Sequence, residues 1–230
     1  MSDYLAALNR FDGRARLFPL PNFVLFPCVI HPLHIFEPRY RQMTADALAG
    51  DRLIAMALLR PGWEQDYEGS PAIHPVICLG RIVSAQRLDD GRYNLLLQGL
   101  ARARVVEEVQ NDRLYRVAQA ELLFTASTIS PHEERRLRRH LGEQVPGWFP
   151  ANPQLVEQFQ KLLQRDLPLG ALCDILSFAL PLEPAFKQQL LEELDVERRI
   201  DRLLTRLKTP PAAMPAETGP RKFPPEFSVN

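Results

Sequence analysis

Hydrophobic and polar positions divide the chain into a strand-like half and a helix-like half. Over residues 16–124, short apolar runs alternate with turn residues, a pattern that predicts β-strands. Residues 53–59 form one compact apolar run. The runs 75–88 and 93–100 flank Asp-Asp-Gly, and Asp-Gly between two such runs indicates a hairpin because both central residues of that turn need positive φ. The first half is therefore predicted to be a sheet built around this hairpin.

Three further runs complete the predicted strands. Residues 101–109 alternate Arg102 and Arg104 with small apolar residues, which predicts a strand with one solvent-facing side. Residues 115–123 form one more strand. The apolar run 17–26 is interrupted by prolines, which restrict it to a sheet edge or to short kinked pieces.

One helix interrupts these strands. Pro38 stands at its first helical position, where the missing N–H costs nothing. Tyr40, Met43 and Ala47 recur at helical spacing, and Gly50 suits the C-terminal cap. We expect a single amphipathic helix that ends at Gly50.

After residue 124 the apolar period becomes helical. Proline and capping residues mark five helix starts, at Ser130-Pro131, Asn152-Pro153, near Pro168, at Glu183-Pro184 and at Asp195. Strands followed by helices predict an α+β fold with segregated layers. The predicted organisation is a β-rich subdomain over 14–124, a helical subdomain over 125–208 and a Pro-rich tail over 209–230.

Composition narrows the range of partners. The chain has 230 residues, with 28 Lys and Arg against 28 Asp and Glu. The balance holds in each part, 14 against 14 in residues 1–124, 12 against 12 in 125–208 and 2 against 2 in the tail. A surface that tracks phosphates needs an excess of basic charge. Nucleic acid and anionic membrane are therefore not expected as main partners, although a small basic patch is compatible with these counts.

The cysteines and the N-terminus indicate a reducing compartment. Cys28, Cys78 and Cys173 are scattered within apolar stretches, so we expect small buried side chains rather than disulfides or a zinc site. No secretory signal and no apolar run of membrane-spanning length is present. We predict a cytoplasmic protein. The tail carries six of the 21 prolines and is expected to be extended, with a docking peptide around Phe223 and Phe227 as the alternative.

Motifs for catalysis are largely missing from the sequence. Gly142 and Gly147 have the glycine spacing of a phosphate loop, but Trp-Phe follows where Lys-Ser/Thr is required. His31 and His34 share a face only on a helix, so a strand context argues against a metal site, and a hydrogen-bonded His34 is expected instead. No catalytic residue, metal, cofactor or small-molecule substrate is predicted.

A charge run and a few loop aromatics leave alternatives open. The run 133–140 is interpreted as a solvated helix face with acid–base pairs one turn apart, and nucleic-acid contact is the alternative. Trp63, Tyr67, Trp148 and Phe149 lie in loop-like segments. Each such aromatic is either a binding anchor or a cap on the core.

Several stretches together resemble the Lon substrate-binding domain family, the N-terminal domain of Lon-type ATP-dependent proteases, and in particular its stand-alone bacterial members. They are LFPLPNFVLFP at 17–27, PLHIFEPRYR at 32–41, the hairpin segments within 79–104, LCDIL at 172–176 and KQQLLEELDVERR at 187–199. The resemblance implies a PUA-like, partly open β barrel followed by a C-terminal helical bundle. It also implies a role in engaging unfolded or tagged polypeptide, without the ATPase and peptidase domains of a full Lon protease.

The leading hypothesis is therefore a non-enzymatic module that binds polypeptides. Exposed apolar side chains with a few polar groups would serve that purpose. The predicted binding residues lie where strand gives way to helix: His34, Phe36, Glu37, Arg39 and Tyr40. The alternative for each is a structural role, with Phe36 and Tyr40 in the core and Glu37 with Arg39 bracing the helix.

Three other functions are weighed against this one. The first is an adaptor or scaffold that recognises one specific folded partner, which the Pro-rich tail would suit. An RNA-binding role, by analogy with other PUA-like barrels, is disfavoured by the balanced charge. Peptidase activity is disfavoured by the missing catalytic motifs.

Overall fold

The computed structural model describes residues 8–66, 69–149 and 152–209. Within them the chain forms six strands and six helices of nine or more residues, an α+β fold as predicted. The strands are β1 (Arg14–Leu20), β2 (Ile30–Ile35), β3 (Leu53–Leu58), β4 (Val76–Arg87), β5 (Tyr93–Val109) and β6 (Val117–Leu123). The helices are α1 (Pro38–Ala49), α2 (Pro131–Gln144), α3 (Pro153–Leu163), α4 (Leu169–Ala179), α5 (Pro184–Glu192) and α6 (Val196–Leu207).

Five of the strands close into a ring. The strand order is β2-β5-β4-β3-β1-β6, and β6 also pairs with β5, so that β2 extends the sheet beyond the ring. β1 and β3 run parallel, and the other pairings are antiparallel. A cluster of small and aliphatic side chains from all five ring strands fills the centre, and it includes Ala15, Leu17, Ala55, Leu79, Ala103 and Ala118. Alanines suit this position because a five-stranded ring leaves little room for side chains.

A second apolar cluster joins the strands to the helices. It runs from Phe18 and Met56 of the sheet to Leu176 and Ile200 of the helical half. The predicted buried positions of α1, Tyr40, Met43 and Ala47, belong to the same cluster. The boundary proposed at residue 124 stays a prediction. Beyond Thr209, the predicted tail lies outside the described residues.

Local capping chemistry sets three of the helix starts. Ser130 Oγ accepts a hydrogen bond from the Glu133 N–H at 3.2 Å, and Asn152 Oδ1 accepts one from the Leu155 N–H at 3.0 Å. Asp195 Oδ1 accepts from the Arg198 N–H at 3.0 Å. All five predicted starts are confirmed to within a residue.

The predicted hairpin joins β4 to β5, but its turn differs from the expected one. Among the described non-glycine residues, only Cys28 and Arg52 have positive φ, whereas Gly91 has a φ of 81°. The Gly91 N–H donates to the Leu88 carbonyl at 2.9 Å. This is a three-residue loop with one left-handed glycine, so the expectation of two positive φ angles is wrong.

The proline-rich run divides into a part of β1 with a single strand neighbour and a short piece outside the sheet, in agreement with the expectation. β1 pairs with β6 through residues 14–16 and with β3 through residues 17–20, so Pro19 lies where β1 has only β3 beside it and its missing N–H disrupts no ladder. Residues 23–26 form no strand. They cross tightly over β5 instead, because a Cβ at Gly99 would stand only 2.1 Å from the Phe26 carbonyl oxygen. Only glycine permits this approach.

One of two expectations near β2 is confirmed and the other is corrected. β2 contains both His31 and His34, so the expected strand context is observed. Cys28 is exposed and has a φ of 66°, so it is not the small buried residue expected, whereas Cys78 and Cys173 are buried. The chain turns sharply at Cys28 before it enters β2, which directs this side chain to solvent.

Arg102 contradicts the prediction of a solvent-facing side on 101–109. Its side chain is only 2% exposed, whereas Arg104 on the same side of β5 is exposed. The alternation itself is correct, but helices cover that side of the sheet at Arg102. The guanidinium donates to both carboxylate oxygens of Asp174 in α4, at 2.9 and 2.6 Å, and to the Leu191 carbonyl in α5 at 2.8 Å.

A second arginine completes this group, which we call the buried ion cluster: Arg102, Asp174 and Arg199. Arg199 Nε of α6 lies 3.4 Å from Asp174 Oδ1, and its Nη1 donates to the Glu193 carbonyl at 2.8 Å. Charges removed from water are stable only when they are paired and hydrogen-bonded. The cluster therefore ties β5 to α4, α5 and α6 in one arrangement.

An aromatic contact forms a second junction between sheet and helices. The His31 ring of β2 lies 4.6 Å from the Phe23 ring and 5.5 Å from the Phe178 ring of α4, measured between centroids. Burial lowers the pKa of His31. Next to it, Lys187 Nζ donates to the Phe178 carbonyl at 2.6 Å, and burial lowers the pKa of this amine to about 8. Burial at this junction thus favours the uncharged forms of His31 and Lys187.

We predict that Arg102→Met destabilises the protein by about 3–5 kcal/mol, because it leaves the buried Asp174 carboxylate without its two-point partner. Urea unfolding measures this change. Arg104→Met, on the exposed part of the same strand, should stay within about 0.5 kcal/mol of the parent. Equal effects of the two substitutions would show that the cluster does not contribute as described.

We further predict that stability falls as the pH drops below about 6.5, the pKa of an unperturbed histidine. The unfolded chain then binds a proton at His31 that the folded chain resists, because burial lowers the folded pKa. His31→Phe should reduce this loss between pH about 6.5 and 5. His132→Phe, at an exposed position of α2, is the control and should retain the parent's pH dependence.

Candidate functional site

Three neighbouring strands present exposed apolar side chains. Ile30 of β2 is 54% exposed, Leu96 of β5 is 40% exposed and Val83 of β4 is 41% exposed. The register places Pro32 directly opposite Leu96. We call the surface formed by Ile30, Pro32, Val83 and Leu96 the exposed face.

A bulge and strict alternation build this surface. Leu96 pairs with Ser84, and a register shift between Ile82 and Ser84 inserts Val83 as an extra residue beside it. On the other side of the same strands, Leu33 and Leu95 are buried in the core. The exposed face therefore rests on a rigid support, although nothing in the described part of the chain covers its apolar side chains fully.

Polar groups border the exposed face at one end. His34 Nδ1 lies 2.7 Å from Asn94 Oδ1, and its Nε2 lies 3.3 Å from an Arg92 nitrogen. The hydrogen-bonded role expected for His34 is observed. Phe36 follows β2, is exposed, and stacks on His34 with a centroid distance of 6.3 Å. Two of the five predicted binding residues thus lie next to the exposed face.

The other three predicted residues surround the start of α1. Arg39 pairs with Glu37 at 2.8 Å, and its guanidinium lies 4.7 Å above the Tyr40 ring. Tyr40 is buried, and its hydroxyl donates to the Pro19 carbonyl at 3.4 Å. Together they line a small cleft of about 40 Å³. The structure therefore divides the predicted residues between this cleft and the exposed face.

Sequence reasoning did not select Ile30, Val83 or Leu96. One signal was available for Leu96, because residues 95–97 are three successive leucines and a strand must direct the middle one away from its neighbours. Val83 gave no such signal, since its exposure depends on a bulge. Ile30 required β2 to be identified as a strand.

No arrangement for metal binding is found among the residues that the structure describes. His31 and His34 lie on opposite sides of β2, and the rings have different neighbours. No group of three or more His, Cys, Asp and Glu side chains in the described ranges is placed to hold a metal. Nor does any helix there have the length and apolar character needed to cross a membrane.

The loop aromatics and the charge run have structural contacts. Trp148 is buried and donates to the Leu207 carbonyl at 3.0 Å, so it caps the core. Trp63 packs half-buried against the ring's central cluster, and Tyr67 lies outside the described residues. In α2, Glu133 pairs with Arg136 one turn away, as the interpretation of a solvated face expects.

Comparison with known proteins identifies relatives over most of the chain. The family model described as the ATP-dependent protease La (LON) substrate-binding domain matches residues 14–209. The Lon protease of Trichlorobacter lovleyi is 28% identical over 187 residues, which cover 81% of this chain and 23% of that protease. The chain thus spans less than a quarter of the length of this relative.

Solved structures show the same fold. A Lon N-terminal domain protein from Xanthomonas campestris superposes with a TM-score of 0.60 at 24% identity, covering 84% of this chain and 97% of the other. The N-terminal domain of the Mycobacterium avium complex Lon protease superposes with a TM-score of 0.65 at 16% identity, over the same shares. Since the family model extends over nearly the whole ring of strands and all six helices, the chain belongs to the LON substrate-binding domain family.

Proposed function

We propose that this chain is a non-enzymatic module that binds polypeptides through the exposed face, and that its ligands are apolar segments exposed in unfolded proteins. The observation that carries the proposal is the set of adjacent exposed apolar side chains on β2, β5 and β4. Membership of the LON substrate-binding domain family supports it. The name of the family describes substrate binding and not catalysis.

The chemistry of the exposed face suits an apolar ligand. Removing apolar surface from water contributes roughly 25 cal/mol per Å². Because Leu33 and Leu95 hold the reverse side of the sheet in the core, binding requires little ordering of the backbone. The bordering polar groups of His34 and Asn94 can orient a ligand's backbone, in the manner of a polar rim around an apolar centre.

The position of β2 adds a route for recognising an extended backbone. In the described chain β5 is its only strand neighbour. The Gly99 N–H donates to the Val29 carbonyl, and this pairing implies that Ile30, Pro32 and His34 direct their backbone groups away from β5. Pro32 offers only a carbonyl there, which limits pairing with unrelated strands. An extended segment can therefore pair with β2 while its side chains contact the exposed face.

Within this proposal, the residues predicted from sequence have two places. His34 and Phe36 belong to the contact surface, at the end of the exposed face. Glu37, Arg39 and Tyr40 hold the start of α1 and form a neighbouring cleft that a longer ligand can reach. We also propose that the ring of strands is a PUA-like barrel, that the helices form a C-terminal bundle, and that the protein acts in the cytoplasm.

The proposal predicts that Leu96→Asp weakens binding of an unfolded polypeptide at least tenfold, a loss of about 1.4 kcal/mol. A charge at this position must be desolvated when an apolar segment covers it. The measurement is fluorescence anisotropy of a labelled, permanently unfolded polypeptide titrated with the protein, with the folded form of that polypeptide as comparison. Phe36→Ala should weaken binding by a smaller factor.

Leu114→Asp is the matched control, since Leu114 is 64% exposed but lies outside the exposed face. It should bind like the parent. Equal losses for both aspartate variants would contradict the assignment of the face. Absence of binding up to ~100 μM, or binding of the folded polypeptide alone, would reject the proposed ligand class, and the second result would favour an adaptor for a folded partner.

A further inference from the structure

A groove between α2 and α3 combines an apolar floor with arginine side chains. One face of α2 and one face of α3 line this groove, and its volume is about 470 Å³. The lining residues are Arg135, Arg138, Arg139, Gly142, Glu143, Gln160, Leu163 and Gln164. Their spacing of three and four positions gives each helix a single continuous face toward the groove.

The floor of the groove is open because a glycine stands at its centre. A Cβ at Gly142 would lie 3.4 Å from Leu163 Cδ1, so position 142 faces this leucine without contributing a side chain of its own. Glycine is unfavourable inside a helix by about 1 kcal/mol relative to alanine. Because glycine has no side chain, a shallow apolar depression beside Leu163 remains between the two helices. We call this depression the apolar seat.

The arginines have different roles. Arg138 fastens α2 to the end of α3, since its guanidinium donates to the carbonyls of Leu163 at 3.1 Å and Leu167 at 2.6 Å and pairs with Glu134 at 3.1 Å. Arg135 and Arg139 are exposed, and within the described part of the chain neither guanidinium group has a hydrogen bond or an ion pair. Two unpaired positive charges one helical turn apart thus border an apolar seat.

We propose that this groove binds an acidic amphipathic helical peptide of a protein partner. Carboxylates spaced by one turn on such a peptide match Arg135 and Arg139, and guanidinium groups bind carboxylates with two parallel hydrogen bonds. An aliphatic side chain from the same face of the peptide fills the seat over Gly142, as in other complexes of a helix in a groove. This site goes beyond the polypeptide binding assigned to the exposed face.

The lining favours a peptide over a nucleic acid. None of the residues that line the groove is aromatic, so no ring is available for base stacking. Phosphate groups gain nothing from contact with an apolar floor, whereas the leucine side chains of a helical peptide can pack on it.

The test uses a fluorescein-labelled peptide of about four helical turns, with leucines on one face flanked by glutamates one turn apart. A second peptide has lysines in place of the glutamates, and an oligothymidylate of similar length is the third probe. Binding is measured with the parent, with Arg135→Glu/Arg139→Glu, with Gly142→Leu and with Arg14→Glu. Arg14 is an exposed arginine of β1 and provides a single charge-reversal control away from the groove.

The expected result is that the acidic peptide binds the parent at least tenfold more tightly than the lysine peptide does. The double arginine variant and Gly142→Leu each lose at least tenfold, while Arg14→Glu binds like the parent. Both groove variants should stay folded by circular dichroism, since the arginines are exposed and leucine favours a helix over glycine. Equal binding of the two peptides, an equal loss in Arg14→Glu, or tighter binding of the oligothymidylate would overturn the proposal.

Discussion

The buried ion cluster determines how the two halves of the molecule are joined. Asp174 receives two hydrogen bonds from Arg102 of the sheet and lies within ion-pair distance of Arg199 of α6, and both arginines also bind backbone carbonyls. A mismatched arrangement would leave a charge buried without a partner, which costs several kcal/mol. An apolar contact tolerates sliding, but this set of directional bonds does not. The ion cluster therefore fixes the helical half on the part of β5 around Arg102. The part of β5 that carries Leu96 contributes to the exposed face instead.

A single extra residue in β5 separates these two parts of the strand. Between Gly99 and Ala101 the register against β4 shifts by one position, at Leu100. Because one inserted residue exchanges the two faces of a strand, Leu95 and Leu97 before the shift lie on the same side as Arg102 after it. The same irregularity thus turns Arg102 toward the helices and directs Leu96 to the exposed face. Alternation along the sequence does not reveal it, since Gly99 and Ala101, the two neighbours of Leu100, are both small and lack polar side chains.

The difference between local and long-range interactions explains which features were predictable from sequence. The helix starts were predicted correctly because Ser130, Asn152 and Asp195 act on amides three residues away, within the same turn. The hairpin and the α+β class followed from equally local signals. The exposed face was not predicted, since it joins residues from three strands and depends on the pairing of β2 with β5 and on the bulge at Val83. Arg102 was assigned to the correct side of β5, but its burial depends on helices more than 70 residues away in sequence.

The charge balance of the chain shows a similar limit of sequence-based prediction for the surface charges. Equal numbers of basic and acidic residues in 125–208 predict that no extended basic surface is formed there. The counts do not show how individual charges are used, because Arg138 and Arg199 are occupied inside the fold by carbonyls and carboxylates. Arg135 and Arg139, by contrast, are exposed on α2 and remain as local positive charges in a segment whose basic and acidic residues balance. Specific electrostatic recognition therefore depends on which charges the fold has already paired, and a structure is needed to identify the ones that remain.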